Sequence, residues 1–401
     1  MRLALPSGPA HLTYCANIHR GESWPETFDA LRLHLPAVKR QVSPAAPMGV
    51  GLRLSALAAE ALEQTAALAA LQGFFLAEDL YVFTVNGFPY GPFHGRPVKE
   101  QVYAPDWRQP ERLAYTDRLA TLLAALLPEG EMGSVSTVPG AFRAAGAEPG
   151  MRIAIGEALL RHAARLVRLE ADTGRHIMLA LEPEPMCLLE TTAEAVGFLE
   201  EQLLGRHALA RFAALVGCGM AGAEALLRRH VGLCLDVCHA AVEFEAPGES
   251  VALLRRAGIA VAKLQLSSAL AIGRPDAEAA SLLRRFDDGV YLHQVVERRP
   301  DGSLRRFLDL PDALPSLPAE PEGHEWRVHC HVPIFLDGVG RLGTTQDVLR
   351  EVLAQQRAEG ISPHLEVETY TWDVLPPEWR CAELDQAIAR ELLWVQDRLL
   401  S

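Results

Sequence analysis

The feature that most constrains this chain is a strict alternation. Short apolar runs, rich in β-branched residues, are each followed by a longer helical pattern, from one end of the sequence to the other. The predicted strands cover residues 11–17, 49–54, 81–86, 133–138, 177–182, 231–236, 260–266, 327–334 and 364–370. Their apolar positions do not alternate with polar ones, so both faces of each strand are buried. That is the signature of a parallel sheet covered by helices. Nine strands are one too many for an eight-stranded barrel. The run 133–138 is short and rich in serine and glycine, so it is set aside as a loop strand. The expectation is an α/β fold, a (β/α)8 TIM barrel formed by the other eight.

Helix starts support the pattern. Ser23-Trp24-Pro25-Glu26 combines an N-cap, an early proline and a capping-box carboxylate ahead of Phe28, Leu31 and Leu35. Ser55 opens an alanine- and leucine-rich helix to about residue 76, and helical patterns also cover 111–127, 150–173, 192–215 and 345–359. Two stretches break the rhythm. Residues 87–110 are crowded with glycine, proline and aromatics. Residues 273–325 contain a hairpin signal, with strands near 290–298 and 303–310 around the turn Arg299-Pro300-Asp301-Gly302. Both follow strands, which places them as long loops on the C-terminal face, where barrel enzymes carry their chemistry. The 401 residues are read as one barrel domain, 1–401, with an inserted hairpin at about 273–325.

Charge and composition narrow the function. A net charge of -13 with no compensating basic stripe argues against nucleic acid as a partner. The arginine-rich run 298–306 reads as the solvated edge of the hairpin. No apolar stretch reaches the length of a membrane span, and no secretory leader is visible at residues 1–10. The seven cysteines show no zinc-knuckle spacing and are read as reduced, buried residues, which points to the cytoplasm. No P-loop, Gly-x-Ser-x-Gly or His-Glu-x-x-His motif is present.

The chemistry-bearing residues sit at the ends of otherwise apolar strands. Glu182 closes Ile177-Met-Leu-Ala-Leu, and Asp236 closes Val231-Gly-Leu-Cys-Leu, with His239 three residues on. Gln265 ends Val261-Ala-Lys-Leu, His331 ends Val328-His-Cys, and Glu368 ends Leu365-Glu-Val. A buried carboxylate is costly unless it is paired or metal-bound. A closed barrel would gather these side chains around its axis as a divalent-metal site of Glu182, Asp236, Gln265, His331 and Glu368. Mixed oxygen and imidazole donors suit Mn, Zn, Co or Mg. Each residue also has a structural reading: Glu182 in a salt bridge, Asp236 as the N-cap of the next helix, Gln265 as a hydrogen-bonding amide. His329 competes with His331, and Glu366 with Glu368; the member nearer the strand end is preferred in both cases. Arg53, Asn86, His94 and His293 are placed as substrate contacts. The alternatives are a structural ion pair for Arg53, lid packing for His94 as for Tyr90, and surface decoration for His293.

The Glu182 strand end, the Asp236-x-x-His239 pair and the late Glu368 resemble the metal-binding pattern of the xylose isomerase-like superfamily of TIM barrels, which holds sugar epimerases and metal-dependent endonucleases. Longer stretches resemble the EboE-type metabolite traffic proteins: Leu12-Thr-Tyr-Cys-Ala-Asn-Ile-His19, Val82-Phe-Thr-Val-Asn-Gly-Phe-Pro-Tyr-Gly91, Leu181-Glu-Pro-Glu-Pro185 and Tyr291-Leu-His-Gln294. The resemblance implies a cytoplasmic protein linked to secondary-metabolite processing or traffic. It departs at Gln265, where epimerases of the superfamily place a histidine on the sixth strand. The expected function is a metal-dependent isomerase or epimerase acting on a sugar- or polyol-like metabolite, with Glu182 and Glu368 moving the proton and His239 binding a substrate hydroxyl. A non-catalytic metabolite carrier and a metal-assisted phosphoesterase are the alternatives.

Overall fold

The computed structural model describes residues 1–143, 150–380 and 383–401. Eight parallel strands form the barrel: β2 (Gly8–Tyr14), β3 (Met48–Arg53), β4 (Leu80–Asn86), β5 (Gly133–Thr137), β6 (Ile177–Leu181), β7 (Val231–Asp236), β8 (Val261–Leu266) and β15 (His364–Val367). A short first strand, β1 (Arg2–Leu5), lies antiparallel to β2. The strands hydrogen-bond in the order β2-β15-β8-β7-β6-β5-β4-β3, and a parallel bridge between Cys15 and Gly51 joins the two ends of the sheet. Every residue of β3 through β8 and of β15 is buried. One face of each strand lines the barrel interior and the other packs under the surrounding helices, which is why these runs read as continuously apolar.

The run 133–138, expected to be a loop, is a barrel strand. β5 pairs with β4 on one side and β6 on the other. Its serines are interior residues: Ser134 Oγ lies 2.8 Å from both Thr84 Oγ1 and His364 Nδ1, and Ser136 Oγ accepts from Lys263 Nζ at 3.3 Å. A polar barrel interior, not exposure, explains the composition that made the strand look like a loop.

Conversely, residues 327–334 are not a barrel strand. They follow and overlap β12 (Glu325–Val328), part of a second, antiparallel sheet with β9 (Leu270–Ile272), β10 (Val295–Arg298), β11 (Leu304–Phe307), β13 (Gly338–Val339) and β14 (Leu342–Thr344). Its order is β11-β10-β12-β9-β14-β13. The expected hairpin is present as β10 and β11, with Arg298 opposite Leu304. This sheet begins four residues after β8 and sits over its C-terminal end, before the last βα unit. Gln265 therefore lies on the seventh barrel strand, not the sixth.

The other long loop, after β4, is tied down by a fully buried arginine. Arg112 donates to the carbonyls of Pro105 and Gly87, each at 2.7 Å, and of Phe88 at 3.1 Å.

Two predicted helices are interrupted: 55–76 divides into Ala56–Ala61 and Thr65–Ala77, and 192–215 into Thr192–Gln202 and Arg206–Val216. Gly217-Cys218-Gly219-Met220-Ala221-Gly222 has the spacing of a dinucleotide fingerprint but connects Arg206–Val216 to Met220–His230. It joins helix to helix, so it lacks the strand that such a phosphate-binding turn needs. No single helix among the described residues is long and apolar enough to cross a membrane; that same helix pair passes on length and composition together, bent by 89°. The six described cysteines are free, and Cys218 is exposed.

Candidate functional site

The C-terminal strand ends surround a cavity of about 510 Å³ of atom-free space, its mouth included. Its floor is polar and its walls are aromatic and aliphatic. Both insertions contribute: Phe88, Phe93 and Tyr103 come from the loop after β4, and Tyr291, His329 and His331 from the segment around the second sheet.

Parallel strands running in one direction bring their last residues to one level, and here that level is acidic. Ligand oxygens of Glu182, Asp236 and Glu368 lie within 4.8 Å of one another, and all three side chains are buried. Glu368 is held by three amides: Asn17 Nδ2 at 2.6 Å and Asn86 Nδ2 at 2.9 Å donate to Oε1, and Gln265 Nε2 at 2.9 Å donates to Oε2. Asp236 does two jobs. Its Oδ1 caps the helix Val237–Val242 by accepting from His239 N at 3.0 Å, and it also accepts from Ser267 Oγ at 2.7 Å. The N-cap reading was therefore right without excluding a second role, because Oδ2 accepts no hydrogen bond and lies 4.0 Å from His239 Nε2.

Burial pushes the Glu182 carboxyl up to about 7, opposed by the His239 imidazole and reinforced by the Asp236 carboxylate. Burial, with Glu182 and Asp236 beside it, also raises Glu368 well above the ordinary carboxylate range. Asp236 stays below that range despite burial, through His239, His331 and its hydrogen bonds. Three carboxylates this close cannot all carry charge cheaply; a proton or a cation must balance them.

The imidazoles are oriented by acceptors. His239 Nδ1 is 2.9 Å from Pro183 O, His331 Nδ1 is 2.7 Å from Glu368 O, and His329 Nδ1 is 2.7 Å from Gln294 Oε1. Carbonyl oxygens only accept, so each ring carries its hydrogen on Nδ1 and presents an Nε2 lone pair when neutral. Burial holds His329 well below the usual imidazole range and His331 down at about 4, so both are neutral.

Among the described residues, Glu182 Oε2, Asp236 Oδ2, Gln265 Oε1, His329 Nε2 and His331 Nε2 have no hydrogen-bond partner. All five are acceptors, all are buried, and all are at this end of the barrel. Buried acceptors without donors are expensive. A divalent cation is the group that such a set fits.

The remaining expected contacts divide. Asn86 lines the cavity and holds Glu368. Arg53 does not line it: its guanidinium donates to Gly21 O at 3.0 Å and Gly91 O at 2.5 Å and lies 3.6 Å from Glu22. His94 braces the lid, with Nε2 2.5 Å from Asn17 O and Nδ1 2.9 Å from Tyr291 OH. His293 is enclosed, with Nε2 2.9 Å from Asp288 Oδ2 and Nδ1 3.0 Å from His329 O. Sequence reasoning passed over Asn17 and Glu184. Glu184 lines the cavity two residues after Glu182 and accepts from Tyr103 OH at 2.7 Å. Its signal was the repeated Glu-Pro pair of Leu181-Glu-Pro-Glu-Pro185.

No family model matches the chain, and no curated protein does. Among solved structures it is similar to a xylose isomerase-like TIM barrel protein from Mycobacterium smegmatis in complex with magnesium, at 11% identity over 97% of this chain and 96% of that one, with a TM-score of 0.52. An IOLI protein with a binding zinc atom (16% identity, 97% and 98% covered, TM-score 0.47) also matches. So does the 3-keto-D-glucoside 4-epimerase YcjR from E. coli (13%, 97% and 99%, 0.45). Identities this low speak to architecture alone, and the first of these, together with the strand order above, makes the fold a (β/α)8 TIM barrel similar to that of the xylose isomerase-like protein.

Proposed function

We propose that the chain is a divalent-metal-dependent isomerase or epimerase of a small sugar- or polyol-like metabolite. The observation that carries this is the convergence of unpartnered acceptor atoms on Glu182, Asp236 and Gln265 beside Glu368. These four would hold the ion, with His331 Nε2, within 4.8 Å of the Asp236 carboxylate, as a nitrogen donor. A divalent ion bound there supplies Lewis-acid polarisation of a carbonyl and its neighbouring hydroxyl.

The chain's own groups then account for proton movement. A carboxyl near 7, as at Glu182, is matched to taking and returning a proton at neutral pH. Glu368 stands across the carboxylate cluster, fixed by Asn17, Asn86 and Gln265. One of the two removes a proton from the carbon beside the carbonyl, and the other, protonated, returns one to that carbon or its neighbour. His239, anchored through Nδ1, turns Nε2 toward the cavity to hold a substrate hydroxyl. Ring faces of Phe88, Phe93 and Tyr370 suit the C–H face of a sugar. The motif resemblance adds a cytoplasmic setting and a link to secondary-metabolite processing or traffic. Arg53, committed to backbone carbonyls and Glu22, gives no support to the phosphoesterase alternative.

The test combines metal content with solvent exchange. Protein purified without chelator carries a divalent ion, and Glu182→Gln, still folded, loses most of it. In D2O, a panel of ketoses and keto-polyols is followed by NMR for deuterium entering the carbon beside the carbonyl. Absence of both bound metal and exchange overturns the proposal; metal without exchange on any panel member favours the carrier reading.

A further inference from the structure

The cavity changes character from floor to mouth. Its floor gathers the carboxylates of Glu182, Glu184 and Glu368 with His239, all at or just after barrel strand ends. Its upper wall comes from the two insertions and is almost all carbon. Phe93, Val98 and Val102 from the loop after β4 line it, with Tyr291 and Leu292 from the segment that leads into β10. Phe93, Val98 and Tyr291 form one buried apolar cluster, and Val102 packs against it.

The polar groups that the lid brings to this wall are already spent. Tyr291 OH is 2.9 Å from His94 Nδ1, away from the cavity lining. Tyr103 OH donates to Glu184 Oε1 at 2.7 Å and accepts from Gln294 Nε2 at 2.9 Å. The backbone N–H groups of Val98 and Lys99 donate to Val290 O at 2.8 and 3.1 Å. Lys99 is the one lysine or arginine among the described lining residues, and it is paired with Asp309. Asp309 is fixed in turn, accepting from His293 N at 3.0 Å and Leu310 N at 2.9 Å. A substrate hydroxyl raised to this level would leave water and find no partner, which is costly. A hydrocarbon group there would leave water and gain by it. An anion would meet a cation already neutralised, above a floor of carboxylates.

We infer that the substrate is amphipathic: a polar head of vicinal oxygens sits on the carboxylate floor, and an uncharged apolar substituent, aryl or branched alkyl, lies on the carbons remote from the reacting one, between Val98, Val102 and Leu292. The inference rests on the proposed isomerase reading for the head alone. The space agrees with it. At about 510 Å³, mouth included, the cavity falls within the range of roughly 300–1,000 Å³ typical of sites that enclose drug-sized ligands. A bare pentose or hexose fills only part of it. Because the insertions supply the apolar wall and the barrel supplies the floor, the chemistry of the head and the choice of substituent are set by different parts of the chain.

The test uses ligands that bind without turnover. Xylitol, ribitol and D-arabinitol lack the carbonyl, and each is compared with its 5-O-benzyl ether and its 5-phosphate. The full chain, as purified and with Mg²⁺ present, is titrated with each by calorimetry. The benzyl ether of at least one pentitol binds about tenfold tighter than its parent or better, with a more negative heat-capacity change, and the phosphates bind no tighter than the parents. Leu292→Ser removes most of the benzyl gain and leaves the parent pentitol within about twofold. Circular dichroism confirms folding; should that variant fail to fold, Val102→Ser, at a half-buried lid position, replaces it. Ethers no tighter than their parents, a phosphate that binds tightest, a gain that survives the wall variant, or no binding across the series each overturns the inference. A benzyl gain in a protein that shows neither bound metal nor solvent exchange ends the isomerase reading and keeps the apolar subsite. Exchange on bare ketoses without any benzyl gain does the reverse.

Discussion

Replacing Lys263 with methionine would remove a buried positive charge that acts on the carboxylate cluster. Lys263 on β8 and Glu366 on β15 form an ion pair inside the barrel, both with no exposed surface. Burial works against the lysine charge, but the adjacent Glu366 carboxylate holds it protonated and its pKa above the usual range. Methionine has nearly the same length and no charge, so Lys263→Met strands a carboxylate in the core. Removing one partner of a buried pair costs on the order of 3–5 kcal/mol, whereas replacing both with uncharged groups is close to neutral. The double variant Lys263→Met, Glu366→Gln should therefore recover most of the loss, giving a coupling energy of at least about 2 kcal/mol in a double-mutant cycle. The stranded carboxyl escapes part of the penalty by taking a proton, so the single variant should be less damaged at pH 5 than at pH 8. Urea unfolding followed by tryptophan fluorescence at both pH values measures all of this. A single variant within about 1 kcal/mol of wild type, or a double variant that loses as much as the two singles added, would refute the argument. Because the Lys263 charge also lowers the pKa of Glu182, the single Lys263→Met variant should bind divalent ions more weakly at neutral pH, read by calorimetric titration with Co²⁺.

Three further expectations follow from particular contacts. Gly51 is needed because a Cβ there would sit 1.8 Å from Glu366 Oε1 and 2.6 Å from Tyr14 O; Gly51→Ala should lose about 1–3 kcal/mol or more in the same unfolding assay, and a neutral result would mean that this corner of the barrel relaxes freely. Glu391 is buried, and burial pushes its carboxyl up to about 7 from 4.5, against hydrogen bonds from Thr369 and Ile334 N. Raised in the folded state, it binds more protons there than when unfolded, so stability falls as pH rises from 4.5 to 7. Glu391→Gln should gain up to about 3 kcal/mol over wild type across that window and nothing below it, and a pH-independent difference would contradict the assignment. Arg112→Met should release the loop after β4 from the Pro105, Gly87 and Phe88 carbonyls, seen as faster limited proteolysis within residues 87–110; unchanged cleavage would mean that the loop is held by its aromatic packing instead.

The periodicity of the chain determined the barrel and, with it, the level at which Glu182, Asp236 and Glu368 meet. Strands that are apolar on both faces must lie in a covered parallel sheet, and parallel strands in a closed sheet have no choice but to end at one rim. What the sequence misplaced were the segments whose composition reflects a neighbour rather than their own secondary structure. The serines of β5 look like loop residues until Thr84, His364 and Lys263 are seen facing them across the barrel. The apolar run after Arg327 looks like a barrel strand because it is buried, but it is buried by a second sheet. Local pattern reports burial and periodicity; it does not report which partner does the burying. The same limit applies to the site. Arg53 ends a strand as the carboxylates do, yet the carbonyls of Gly21 and Gly91, distant in sequence, claim its guanidinium. His329 and His331 reach the cavity only because an insertion folds back over the mouth, so their place beside His239 was decided by long-range packing, which no window of residues along the chain contains.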